Sequence, residues 1–272
     1  MVKPVLAFSM VCAAFAVSAA EKNPQAEELF KAYSEMNYPA ARKLAKASPD
    51  LLEAKLVGGL CDLYDQKEQN IKQGQQAMAE IFFVKDNPPA YRQLAGVSLA
   101  RTAQLMKQRR EQYGTEADQY NHLKIFQQVI DIDPTTEAAR DAFFYMIYEE
   151  LETPELQEAG FEKLEKFLSE FKGDKTLLPP IHRLAEYEYI RQRRDYKNGV
   201  RHLKAGYDIG FANPSVSRSA AFRLPFLLYK KIGDKEQAIE YFKLYLKRHP
   251  FSAQAVVAKR FLKELGVGEQ NK

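Results

Sequence analysis

Residue types able to carry chemistry are sparse along this chain of 272 residues, and none is spaced for it. The four histidines are His122, His182, His202 and His249, and none has a second histidine or a cysteine at ligand spacing. No HExxH or CxxC pattern occurs. His182 and Glu186 share a helical face, but two ligands do not complete a metal site, so the histidines read as surface groups. Cys61 lies in LVGGLCDLY on an apolar helical face with no histidine nearby, which marks it as a small buried hydrophobe rather than a nucleophile. GxSxG, GxxxxGK[ST] and GxGxxG are all absent, and Gly58-Gly59 reads as a close-packing pair within a helix. Neighbouring carboxylates such as Glu149-Glu150 point to different helical faces and read as a solvated rim rather than an acid–base dyad. The expectation is a protein with no catalytic residue, no metal and no cofactor.

Charge is the remaining candidate for function. The net charge of +4 is too small to argue for nucleic acid. Its distribution is uneven. Residues 131–170 carry twelve acidic against three basic side chains, a net of −9, whereas residues 181–207 reach +4 and residues 215–250 reach +5. Within the first basic stretch, Arg183, Tyr187, Arg191 and Arg194 recur at spacings of four, four and three, which aligns them along one helical face. Arg223, Leu227 and Lys230 could extend that stripe. Arginine and tyrosine dominate binding hot spots, and arginine forks suit carboxylates, so the expected partner is an acidic or C-terminal segment of another protein.

The elements that must position these residues are helices. Apolar residues recur three and four apart in nearly every segment. Turn-forming residues at Pro49, Pro89, Pro134, Gly173, Pro214 and Pro250 are separated by 36 to 45 residues, which is the recurrence a stacked array of helical hairpins requires. Six hairpins follow: 27–35 with 39–47, 51–64 with 70–84, 90–110 with 116–132, 136–150 with 154–171, 180–194 with 196–207, and 215–231 with 235–248. A last helix over 252–265 would cap the array, and 266–272 reads as a disordered tail. Gly160, Gly199 and Ala238 occupy equivalent places in second helices, where only a tiny side chain lets two backbones cross closely. In the third hairpin His122 falls where such a residue belongs.

The stretch AAFRLPFLLYKKIGDKEQAIEYFKLYLKRHP, from Ala220 to Pro250, resembles a tetratricopeptide-type hairpin. Tyr229 lies in its first helix, Gly233-Asp234 make its turn, Ala238, Phe242 and Tyr245 stripe its second helix, and Pro250 closes it. The segment YFKLYLKRHPFSAQAVVAKRFLKEL further resembles tetratricopeptide proteins of the bacterial cell envelope. The resemblance implies an all-α, right-handed α-solenoid of about six hairpins over residues 21–265, whose first helices line a concave groove. It also implies a role in holding protein partners, with association with envelope membrane proteins as a possible extension. A subunit of an outer-membrane assembly or polysaccharide-export machine is the alternative. A helical carbohydrate-processing enzyme would need a carboxylate pair facing a cleft, and the sequence marks none.

Residues 1–20 read as a secretory signal peptide: Lys3 supplies positive charge, residues 5–17 an apolar run, and Ser18-Ala19-Ala20 a small-residue cleavage step. Cys12 lacks the small residue expected before a lipidated cysteine, so the expected location is the periplasm or cell envelope without a lipid anchor. N-terminal sequencing of exported material should therefore begin at Ala20 or Glu21; an acylated species beginning at Cys12 would reverse this expectation.

Overall fold

The computed structural model describes residues 23–63, 65, 67–113 and 120–267. The predicted signal peptide and the last five residues of the predicted tail lie outside them. The described residues form thirteen α-helices and no strand, so the chain is all-α. Packing divides it into two compact units, Met1–Glu149 and Glu150–Lys272.

In the first unit the helices are α1 (Pro24–Ser34), α2 (Tyr38–Ala47), α3 (Leu52–Leu63), α4 (Glu68–Phe83), α5 (Pro89–Tyr113), α6 (His122–Ile132) and α7 (Glu137–Glu152), the unit boundary falling in the last turn of α7. Each of α1 to α5 packs on the next helix in sequence, and α1 meets α3 and α3 meets α5 as well. Asn23, Asn37 and Asn121 each accept a backbone N–H of the first helical turn, which fixes where α1, α2 and α6 begin. The α3–α4 crossing is closed by glycine: a Cβ on Gly74 would sit 2.7 Å from the Gly59 carbonyl oxygen. The expected packing role of Gly58-Gly59 is therefore filled by Gly59.

The second unit holds α8 (Gln157–Glu170), α9 (Pro179–Arg193), α10 (Tyr196–Ile209), α11 (Pro214–Leu227), α12 (Lys235–Arg248) and α13 (Ala253–Glu264), with short 3₁₀ turns at Pro154–Leu156 and Lys175–Leu177. Its core gathers Leu203, Leu224, Leu228, Ala238, Phe242, Tyr245, Phe261 and Leu262, and Phe242 and Phe261 meet with ring centroids 5.5 Å apart. The Ala238–Phe242–Tyr245 stripe is wholly buried.

Two connections in this unit have the same construction. After α9, Arg194 takes a left-handed conformation (φ 54°), the Asp195 N–H donates to the Tyr189 carbonyl, and the Asp195 carboxylate accepts the Asn198 N–H to start α10. After α11, Gly233 is left-handed (φ 82°), the Asp234 N–H donates to the Leu228 carbonyl, and the Asp234 carboxylate accepts the Gln237 N–H to start α12. Helix α11 differs from its sequence reading: buried Pro225 lies within it, and the chain passes into a π turn over Leu228–Ile232 before Gly233.

At the α9–α10 crossing a Cβ on Gly199 would stand 2.6 Å from Ile190 Cγ1, on a stiff branched side chain. Gly199→Ala is expected to lower the stability of the second unit by about 1–3 kcal/mol. Ile190→Ala in the same background should recover part of the loss in urea unfolding; additive losses would show that the two residues do not share the crossing.

Candidate functional site

The basic stripe predicted from the sequence is built on α9 and α11. Arg183, Tyr187 and Arg191 follow one another at one-turn intervals on α9, Arg223 lies on α11, and Lys230 lies in the π turn. Arg194 does not share the stripe: α9 ends at Arg193, and Arg194 is exposed in the left-handed turn.

The structure also brings in acids that the stripe needs. Glu186 and Glu188 are on α9, both with no exposed surface. Glu186 accepts from Arg183 through one oxygen and from Arg223 Nε through the other, at 2.6 Å for the latter, so it joins α9 to α11. Glu188 accepts from Arg191 Nη2 at 2.7 Å, and the same guanidinium donates to Glu152. Burial pushes the Glu188 carboxyl up from its ordinary range, against the pull of Arg191. Lys230 Nζ lies 3.0 Å from Glu264 and over the rings of Tyr229 and Phe261, at 4.0 and 5.0 Å from their centroids. Arg183, Arg191, Arg223 and Lys230, each about a third exposed, are thus paired with neighbouring acids rather than standing as an open row of cations. Tyr187 is different: it is 51% exposed, with the Arg191 guanidinium 5.6 Å from its ring centroid. The sequence did carry a signal for the acids, since Arg183–Glu186 and Glu188–Arg191 are three apart on one helix.

These pairs bear on any charge-reversal experiment. A glutamate at position 183 would stand against Glu186, which has no exposed surface and would be left with Arg223 alone, so such a variant reports on folding before it reports on binding.

His122 and His202 are not the surface groups expected. His122 is 6% exposed and His202 is 1% exposed. His122 begins α6, with Nε2 2.8 Å from Glu149, which also accepts from Gln104 and Lys107. The His122 hydrogen bond, ahead of burial acting the other way, holds the Glu149 carboxyl at about 2. Glu149 is therefore a paired acid of the first unit rather than a solvated rim. Glu150, in the second unit, is 8% exposed and accepts from Lys163 Nζ at 2.7 Å.

A second polar network ties α8, α9 and α10. One oxygen of Glu165 accepts from the Tyr189 hydroxyl at 2.6 Å, from Arg201 Nη2 at 2.6 Å and from His202 Nε2 at 2.9 Å. Burial opposes ionisation of Glu165, but these donors win and hold it at about 2. His202 Nε2 also lies 3.0 Å from Arg201 Nη2, and His202 Nδ1 stands 3.1 Å from His182 Nδ1, one ring donating to the other. The Tyr189 ring stacks on His202 at 5.4 Å. This carboxylate–imidazole–imidazole chain could polarise His182, yet among the described residues no hydroxyl or thiol is bonded to His182 to serve as nucleophile. Cys61 is 1% exposed, and burial pushes its thiol up to about 12. Among the described residues no three His, Cys, Asp or Glu side chains are arranged to hold a metal ion, and no helix is long and apolar enough to cross a membrane.

Burial, with His202 and Arg201 adding, pushes the His182 imidazole down to about 4. The unfolded chain takes up its proton near pH 6.5 and the folded unit does not, so this histidine removes stability as pH falls from 6.5 toward 4. His182→Gln should flatten that limb: between pH 7 and pH 5 the parent is expected to lose about 1–2 kcal/mol more than the variant in urea unfolding. Parallel losses would reject the assignment.

No protein-family model matches this chain, and no curated protein matches it at a significant level.

Proposed function

We propose that the chain is an exported, non-catalytic scaffold of tetratricopeptide-like helical hairpins that holds a segment of a partner protein in the bacterial cell envelope. The observation that carries this reading is the repeated construction in the second unit. There α9 pairs with α10 and α11 with α12 through the same left-handed residue and aspartate cap, each helix packs on the next, and α13 covers the end. The first unit supports it with the additional packing of α1 on α3 and α3 on α5, as stacked hairpins would have. A right-handed solenoid of about six hairpins is the arrangement this reading implies. The signal-peptide pattern at residues 1–20 supports export.

The partner-binding face in this proposal is the α9 stripe, with a changed division of labour. Tyr187 is the contact residue, and Arg194, exposed in the turn, adds charge. Arg183, Arg191, Arg223 and Lys230 hold the face in shape through their buried or neighbouring acids. A rigid amphipathic anchor beside fixed guanidiniums suits an acidic or C-terminal carboxylate-bearing segment.

The test is capture of partners from the native host's envelope, read by mass spectrometry, with the parent and a Tyr187→Ala, Arg194→Ala variant. Both positions are exposed, so stability should change by less than about 1 kcal/mol. Partner recovery should fall at least about tenfold, and more salt should weaken capture by the parent, because exposed charges are screened within about 8 Å at physiological ionic strength. Equal recovery by a folded variant would remove this face from the proposal.

A further inference from the structure

The two most exposed large apolar side chains of the second unit are near neighbours in sequence. Phe251, in the turn between α12 and α13, is 100% exposed, and Val256, one turn into α13, is 73% exposed. Ser252 caps α13, so Phe251 and Val256 hold the two positions at which a hydrophobic pair ordinarily closes over a helix start. Here the pair stays open, because a phenylalanine with its whole surface in water packs on nothing. The turn that displays it is pinned. Ser252 Oγ accepts the Ala255 N–H at 3.2 Å and donates to the His249 carbonyl at 3.0 Å, and the same carbonyl accepts the Ser252 N–H at 3.2 Å. The hydroxyl of buried Tyr245 lies 2.8 Å from Ser252 Oγ. A rigid turn thus holds an apolar ring out in water, which is unfavourable until something apolar covers it.

The charges around this ring have one sign. From Tyr241 to Lys263 the chain carries six Lys and Arg residues and no Asp or Glu. Lys247 and Lys259 are exposed, and Lys259 lies three residues from Val256 on α13, on the same helical face. Arg248 is bonded to a neutral group, the Tyr207 hydroxyl, at 2.7 Å. The start of α11 contributes exposed Arg218 to the same end of the unit. Its charge reaches His249, two residues before Phe251: burial first, then Arg218 and Arg248, holds that imidazole below its ordinary value. Both charges acting there are cations. A second copy of this surface would bring like charge against like, and a ring that protrudes does not line a groove for a peptide. An anionic lipid surface takes both features, since the ring enters the interface while the cations lie on the phosphates.

We propose that this end of the second unit docks on an anionic lipid bilayer, with Phe251 and Val256 entering the interface and Arg218, Lys247, Arg248 and Lys259 against the headgroups. The inference does not rest on the partner-binding reading of the α9 face.

The chain contains no tryptophan, so Phe251→Trp makes position 251 a local reporter in the full chain, and lipid contact elsewhere leaves it silent. Its emission is followed with vesicles of phosphatidylcholine, with vesicles containing about one third phosphatidylglycerol, and with soluble polyglutamate. Anionic vesicles should shift the emission to the blue, and bromine-labelled acyl chains should quench it. Half-saturation should need at least about tenfold less lipid than with phosphatidylcholine alone, and added salt should raise it. Arg218→Gln with Lys247→Gln in the same background, both at exposed positions, should raise the lipid needed by about tenfold. The comparison of the two vesicle types stands even if that variant fails to fold. An unshifted emission with anionic vesicles, or equal affinity for both vesicle types, would overturn the lipid assignment. A polyglutamate shift as large as that from anionic vesicles would overturn it in favour of an acidic protein partner. Unchanged affinity in the folded charge variant would remove the cations from the site.

Discussion

A carboxylate with no exposed surface dictates how the second unit is put together. Glu186 sits on α9 among Ile181, Leu184 and Ala185, where hydrocarbon would be the easy choice. A carboxyl group there is costly unless its oxygens are hydrogen-bonded. Arg183 from its own helix and Arg223 from α11 supply the bonds. The register of α11 against α9 is thereby tied to one atom pair, and apolar contacts, which slide at little cost, do not set it alone. Glu188, two residues on, is paired through one oxygen with Arg191 of its own helix, and one oxygen of the partly exposed Glu165 joins α8 to α9 and α10 through Tyr189, Arg201 and His202. Glu186 thus fastens α9 to α11, and Glu165 fastens α8 to α9 and α10.

This explains what the sequence disclosed and what it withheld. Helices were legible because apolar residues recur at three and four. The close crossing at Gly199 was legible because the residue fell where Ala238 falls, and both are buried in second helices. The direction of the charges was hidden. Glu186 and Arg183 look like any solvated pair in a one-dimensional string, and acids are so seldom buried that composition argues for the surface. The same blindness made the histidines and Glu149-Glu150 look peripheral, although His202 and His122 are the inner members of polar networks. A helical wheel reports spacing along one helix, whereas these groups are decided by the helix packed opposite.

Backbone geometry was harder to read than helix content. Arg194 looked like a fourth rung of the α9 stripe, but the helix ends one residue earlier and Arg194 takes the place that Gly233 takes in the next connection. Only the aspartates that follow, Asp195 and Asp234, carry a visible signature of the shared turn. The π turn after Pro225 has no such mark: proline removes one N–H, and whether the helix stops, bends or widens depends on what packs around it.

Cys61 has a practical consequence. With its thiol shifted to about 12, a vanishing fraction is thiolate at neutral pH, and the side chain is shut inside α3. While folded, the described part of the chain is therefore nearly silent to maleimides and other thiol-directed dyes. It loses that silence when α3 opens. The native cysteine is a built-in clock for breathing of the first unit, read by the rate at which a dye attaches, and cysteines introduced elsewhere can be labelled selectively against its quiet background.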